Sequence, residues 1–230
     1  MKVFGYAVIA YAAFLSSTVW AIVFLTGPID GPATRPAWAA LPIDAALLLA
    51  FAVQHSVMAR AGFKRRLTRL IPQPAERSTF VLAASLLMVA LFAWWQPVPR
   101  VIWQTGSWLW VVYAAGWALA IGSTFMVDHA DLVGLKQAYR HLRGQEYRPP
   151  EFKERWLYRW CRHPMMLGLV IAFWATPRMT AGHLFFAVAG TAYILVGIEF
   201  EERDLRSRFG TDYPAYEKRV PSLVPWRSRR

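Results

Sequence analysis

Apolar and polar positions alternate along this chain in long blocks. Stretches approaching the roughly 20 mainly apolar residues that cross a bilayer core fall near residues 4–25, 41–59, 79–96, 107–127 and 182–200, with a shorter one at 165–176. The pattern predicts an all-α fold: a polytopic integral membrane helical bundle of five to six transmembrane helices. The last two runs are joined by WATPRMTAG, in which Pro177 and Gly182 mark a tight turn, so the carboxyl-terminal third reads as a helical hairpin. Its open ends are the RHP segment, residues 162–164, and EFEERDL, residues 199–205. An antiparallel hairpin returns these polar clusters, about 38 residues apart in sequence, to the same membrane depth.

Composition supports the membrane reading, with 56% hydrophobic and only 17% charged residues against about 25% charged in a soluble domain. A net charge of +12 would fit nucleic acid if it stood alone, but its distribution decides otherwise. With the amino terminus in the cytoplasm, only Arg35, Arg100 and Arg178 of the 26 Lys and Arg face the other side. This asymmetry sets both termini in the cytoplasm, the chain is expected to be integral to the cell inner membrane, and the charge reports topology and contact with anionic lipid rather than nucleic acid. No A-x-A-like site follows the first apolar run, which reads as a retained helix. The single cysteine, Cys161, excludes an intrachain disulfide. Without a cysteine pair or HExxH, no structural metal is expected.

Residues 1–230 read as one integral domain without internal repeats. The basic stretch 60–78 reads as an amphipathic segment on the membrane surface, and residues 128–163 form the largest polar insertion between spans. Trp94, Trp95, Trp103, Trp108 and Trp110 bracket the far loop as an interfacial belt.

Pro164 suits the first position of a helix, with His163 at its cap. Arg162 and His163 add positive charge to the unpaired amides there, a setting that attracts a carboxylate or phosphate; the alternative is that Arg162 reaches lipid phosphates and His163 only caps. Across the hairpin, Glu199, Glu201 and Glu202 oppose the helix macrodipole. Pairing of Glu199 with Arg203 and Glu202 with Arg206 at i,i+4 spacing offsets part of that cost, but Glu201 has Leu205 at the same spacing. Glu201 as a cation site opposite an anion site at Arg162 and His163 would suit a zwitterionic ligand. His55 near the end of the second span needs a buried partner. His129 and Asp131, just beyond the fourth span, either orient a cytoplasmic loop or help bind substrate. Cys161 reads as a bystander, although Arg162 beside it would favour its thiolate.

RHPMMLG at 162–168, Glu201-Glu202 after the hairpin, and FGTDYPAYEKRVP at 209–221 together resemble the isoprenylcysteine carboxyl methyltransferase-like superfamily of membrane methyltransferases, whose pattern is RHPxYxG, then EE, then FGxxYxxYxxxVP. QHSVMAR at 54–60, AERST at 75–79, DLVGLKQ at 131–137 and AFWATPRMTAGHLFFA at 172–187 extend the resemblance over nearly the whole chain, to its bacterial methanethiol S-methyltransferase branch. The resemblance implies methyl transfer from S-adenosylmethionine to methanethiol, giving dimethyl sulfide and S-adenosylhomocysteine. By motif it implies a cofactor site drawn mainly from residues 128–220, with Tyr158, His163, Pro164, Met165 and Met166 lining it, Glu201 completing it and Arg162 assisting the carboxylate. The donor's carboxylate, ammonium and sulfonium match the two poles inferred from the residues. Met166 stands where the family often has Tyr, which removes a hydroxyl and leaves apolar packing. Relatives that methylate prenylated protein carboxylates place an arginine shortly before the acidic pair; this chain has Gly197 there, which favours a small neutral thiol. The alternatives are a related enzyme acting on an isoprenylcysteine or lipid-borne acceptor, and a non-catalytic NnrU-like membrane protein.

Transfer to a thiol needs aligned reactants, excluded water and help in forming the thiolate, because a simple thiol is no more acidic than cysteine at about 8.5. His129 and Glu202 are the two candidate acceptors for the proton. Membrane lipid and a small apolar thiol are the expected partners.

Overall fold

A computed structural model describes residues 1–148, 154 and 156–223. It is all-α apart from two short extended stretches. In chain order the helices are α1 (Lys2–Phe24), α2 (Ala37–Ala59), α3 (Ala61–Leu67), α4 (Glu76–Trp94), α5 (Leu109–Val127), α6 (His129–Leu132), α7 (Leu135–Leu142), α8 (Pro164–Trp174), α9 (Ala181–Phe209) and α10 (Asp212–Glu217). Three-residue or four-residue 3-10 turns lie at Pro28–Asp30, Gln73–Ala75 and Trp156–Arg159, and the extended stretches are β1 (Val101–Gln104) and β2 (Arg178–Thr180).

Five helical segments among the described residues are long and apolar enough to span a membrane: Lys2–Phe24, Ala37–Ala59, Gln73–Trp94, Leu109–Val127 and Ala181–Phe209. The short fifth run of the sequence is α8, whose 11 residues extend only about 16 Å, roughly half a bilayer core. The third span begins earlier than the hydropathy pattern suggests, because Gln73–Ala75 and Glu76 lead directly into α4. Contacts gather the chain into two compact units.

The first unit comprises Met1–Ile102, Asp128–Pro149 and Thr180–His183. In it α4 packs against α1 and α2, and α7 against α1. Ala7, Ala10, Ser17 and Ala21 form the buried stripe of α1, and such small residues let helix backbones approach where lipid offers no hydrophobic driving force. Gly134, which opens α7, is required twice over. Its φ is +87°, and a Cβ there would sit 2.6 Å from Ser78 Oγ on α4. Arg77 Nε donates to Leu132 O at 2.7 Å and ties α6 to α4. On the far side, Asp30 accepts from the Thr180 hydroxyl and lies 3.4 Å from His183 Nδ1, with His183 fully buried. Trp95 does not belong to the expected aromatic belt: it is 6% exposed and stands edge-on to Phe24. Trp94 and Trp108 are 64% and 62% exposed.

The second unit comprises Trp103–Val127, Pro150–Met179 and Leu184–Arg230. Its centre is the contact of α5 with α8, which meet through facing glycines. A Cβ on Gly168 would stand 2.5 Å from Gly116 O and Ala120 N, so the two backbones touch. Phe173 of α8 lies over Gly190 of α9, and Trp174 Nε1 donates to Thr191 Oγ1 at 2.9 Å. The FG step closes α9: Phe209 packs inward and Gly210, at φ +54°, supplies the left-handed residue that ends a helix. α10 then turns back and seats Tyr213, Tyr216 and Val220 in a small core against Leu205 and Phe209. The FGxxYxxYxxxVP spacing is therefore a reversal of the chain and the core that anchors it.

Candidate functional site

Within the second unit, the hairpin brings its two polar ends together. α8 opens on Pro164, buried, with His163 as cap. His163 Nε2 lies 3.0 Å from Glu202 Oε1, and His163 Nδ1 lies 3.6 Å from Glu201 Oε2. The imidazole therefore stands between the two adjacent carboxylates of α9. They differ in setting, since the Glu201 side chain is 47% exposed and that of Glu202 only 6%.

Glu202 has four donors around it. Arg162 Nη2 is 2.8 Å from Oε1, His163 Nε2 also reaches Oε1, Arg206 Nη2 is 3.3 Å from Oε2, and the Ser222 hydroxyl donates to Oε1 at 3.4 Å. The expected pairings of Glu199 with Arg203, at 3.2 Å, and Glu202 with Arg206 are both present. Arg162 is buried, and its guanidinium also donates to Glu217 O through Nη1 at 3.0 Å. Its Nε is buried and has no acceptor among the described residues.

The chain after α10 crosses the RHP turn. The Arg162 amide donates to Pro221 O and the His163 amide to Ser222 O, at 3.0 and 3.1 Å. Tyr216 Oη donates to Tyr158 O at 2.6 Å. The two amides just ahead of α8 are thus committed to the tail. In a helix beginning at Pro164, the first-turn donors that remain are the amides of Met165 and Met166, since Pro164 has none and Leu167 N already bonds His163 O.

Tyr158 is partly buried on the 3-10 turn before RHP. Burial and the nearby Glu201 and Cys161 push its phenol up to about 12, against a hydrogen bond with Ser123 of α5. Tyr158, Arg162, His163, Pro164, Glu201 and Glu202 are therefore assembled by one unit, with Met165 and Met166 partly buried on the first turn of α8. Cys161 is buried and donates to Leu223 O at 3.1 Å. Burial raises its thiol above the ordinary value, against the His163 amide and Arg162, which fits a bystander.

His129 belongs to the first unit. Its Nε2 is 3.1 Å from Tyr11 Oη and its ring stands edge-on to Tyr11 and tilted to Phe14. Burial lowers its pKa from the usual imidazole value, with Asp128 pulling the other way. Asp128 caps α6 by accepting from the Asp131 amide and pairs with Lys136. Asp131 Oδ1 accepts from Gln137 at 3.3 Å, consistent with the loop-orienting alternative. His55 packs between Phe51 and Phe80.

Sequence reasoning missed the tail's hydrogen bonds to RHP and the pair between Arg206 and Glu217, whose atoms approach to 2.5 and 3.0 Å. The available signals were Gly210 as a helix terminator and the i,i+3 spacing of Tyr213 and Tyr216, which together announce a reversal toward the hairpin's open end.

Membrane-length helices, with an arginine, a histidine and an acidic pair joined at the open end of a carboxyl-terminal hairpin, define an integral membrane protein with a largely buried charged site. No family model matches the chain, and no solved structure matches it. Curated proteins do. Methanethiol S-methyltransferase 2 of Bradyrhizobium diazoefficiens is 47% identical over 229 residues, covering 96% of this chain and 88% of that protein. Methanethiol S-methyltransferase of Mycobacterium tuberculosis is 45% identical over 234 residues, covering 97% and 96%. Nurim of Bos taurus is 30% identical over 176 residues, covering 71% and 67%. The chain belongs to the methanethiol S-methyltransferase family.

Proposed function

We propose that this protein transfers a methyl group from S-adenosylmethionine to methanethiol, releasing dimethyl sulfide and S-adenosylhomocysteine, at the cytoplasmic face of the inner membrane. The family carries the reaction and acceptor. The observation that carries the site is the placement of His163 between Glu201 and Glu202 at the mouth of α8.

The residues present fit such a donor. Glu201, half-exposed, offers a carboxylate for an ammonium group. The Met165 and Met166 amides, with the positive end of the α8 macrodipole and the charge of Arg162 behind them, suit a carboxylate. The orphaned, buried Arg162 Nε is an unmet donor in the same segment. Met165, Met166 and Tyr158 supply apolar and aromatic surface. The bound donor supplies an activated methyl on a sulfonium, and the reaction breaks that S–CH3 bond as the thiol sulfur forms a new one.

The chain's own work is alignment and proton removal. Glu202 holds Arg162 and His163 in register, and its lone pairs are so engaged that an arriving proton displaces one of four donors. His129, whose neutral form is favoured by burial, is the other proposed proton acceptor. His129→Ala should lower turnover with cofactor affinity retained, and unchanged turnover excludes it. Gly197, where the carboxylate-methylating relatives carry arginine, has no side chain of its own, and a Cβ there would meet nothing within 4 Å among the described residues; the lack of that arginine favours a small neutral acceptor. Both termini in the cytoplasm, surrounding anionic lipid and a single integral domain over 1–230 complete the proposal. Purified protein given S-adenosylmethionine and methanethiol should evolve dimethyl sulfide in headspace gas chromatography. Its absence from folded protein that binds the cofactor points to a different acceptor.

A further inference from the structure

The charged groups behind the site form a closed ring rather than separate pairs. Going round, Arg162 meets Glu202 at 2.8 Å, Glu202 meets Arg206 at 3.3 Å, Arg206 meets Glu217 at 2.5 Å, and Glu217 returns to Arg162 through its carbonyl at 3.0 Å and its carboxylate at 3.7 Å. Signs alternate, so two cations and two anions balance. The ring joins the RHP segment, α9 and α10. Burial is graded around it: the side chains of Arg162 and Glu202 are 8% and 6% exposed, those of Arg206 and Glu217 37% and 25%. The inner pair cannot recruit water or salt if its balance is disturbed, whereas the outer pair sits where it can be altered without opening the core.

We propose that Arg206 and Glu217 are positioning residues for the methyl-donor site, acting through Glu202 and Arg162 to hold His163 and Glu201 in their relative geometry. The proposal rests on the assignment of that site to S-adenosylmethionine. Without Arg206, two carboxylates share the single cation Arg162, which is drawn from Glu202 toward Glu217. Glu202 then holds His163 by one contact in a loosened frame, and the spacing of His163 to Glu201 widens. Glu217 also sits where α10 ends, four residues before the Pro221 carbonyl that accepts from the Arg162 amide. Arg206 therefore pins the tail that covers the RHP turn as well as the acid beneath it. Burial does not account for this pair, since both side chains are substantially exposed; what they share is contact with the two buried ring members.

The test compares Arg206→Gln, Arg206→Lys, Glu217→Gln and the exchange Arg206→Glu with Glu217→Arg, in purified full-length protein. The readouts are calorimetric affinity for S-adenosylhomocysteine, KM for each substrate, kcat and thermal unfolding. Arg206→Gln and Glu217→Gln should weaken the cofactor roughly tenfold, the scale of coupling within one charged network, with KM for methanethiol changed less than about twofold. Arg206→Lys should recover a substantial part of the loss. The exchange should not, because Glu202 would then face a glutamate at 206. If the exchange restores cofactor affinity, the pair is an isolated latch and the ring is wrong. If all four variants bind the cofactor like the parent, or lose affinity only in step with unfolding, the positioning role is refuted. Parent protein that is folded yet binds no S-adenosylhomocysteine overturns the donor-site assignment itself, and so defeats this proposal by a distinguishable route.

Discussion

The two glutamates that stand side by side on α9 should respond to the same substitution in opposite ways. Glu202→Gln removes the charge that faces buried Arg162 while keeping the size of the side chain. Breaking one partner of a buried ion pair costs about 3–5 kcal/mol, and the amide retains an acceptor oxygen for one donor, which places this change near about 3 kcal/mol. Arg206, whose side chain is 37% exposed, adds little, because solvent screens its pair with Glu202. For a chain of this size, about 3 kcal/mol corresponds to a fall of roughly 6–12 °C in melting temperature. Glu201→Gln loses a 3.6 Å contact on a side chain 47% exposed, so stability should fall by less than about 1 kcal/mol. Its effect should appear in cofactor affinity, where a charge-assisted contact contributes about 1.5–3 kcal/mol, or roughly 10-fold to 150-fold. The assay is thermal unfolding in detergent beside calorimetric titration of S-adenosylhomocysteine. The division of labour is refuted if Glu201→Gln destabilises as much as Glu202→Gln, or if it binds the cofactor like the parent.

Three further outcomes follow from packing and titration. Gly168→Ala drives a methyl group to within 2.5 Å of the α5 backbone; overpacking of this kind costs about 1–3 kcal/mol or more, and displacement of α8 should lower activity, measured by headspace chromatography beside a melting curve. Cys161→Ala should retain activity, and the native thiol, buried and with its pKa raised, should react with iodoacetamide far more slowly than the denatured chain. Glu217 sits below its ordinary 4.5, held there first by its hydrogen bond from Arg206 and further by Arg162. A lowered carboxylate contributes stability that is fully present above its unfolded value and lost as pH falls through the folded one. The Arg206–Glu217 contribution should thus be constant near neutrality and vanish only below about pH 4.5, seen as convergence of parent and Glu217→Gln melting temperatures in acid.

The meeting of His163 with the acidic pair was legible because a hairpin has only one way to fold back, and hydropathy marks where it turns. The i,i+4 pairs of Glu199 and Glu202 were legible for the same local reason. Trp95 was not, because an aromatic residue at a span's end has the same pattern whether it faces lipid or, as here, Phe24. The bonds from the Arg162 and His163 amides to residues 221 and 222 were not legible, because nothing local predicts that the tail returns to cover them. That return depends on Gly210, the tyrosine core and the Arg206–Glu217 pair acting together. The contact of His129 with Tyr11 of α1 likewise depends on helix packing rather than on the VDHADLVG pattern in which it stands.

The central claim is that this chain moves a methyl group to methanethiol using the site formed by His163 and Glu201. The most direct measurement incubates the purified, folded protein with S-adenosylmethionine carrying a deuterated methyl group and with methanethiol, then quantifies labelled dimethyl sulfide and S-adenosylhomocysteine together. Equimolar formation of both by the parent, with a loss of roughly tenfold or more in Glu201→Gln at limiting cofactor, is the expected result. Folded protein that forms neither product, or a Glu201→Gln variant that forms both at the parental rate under those conditions, would contradict it.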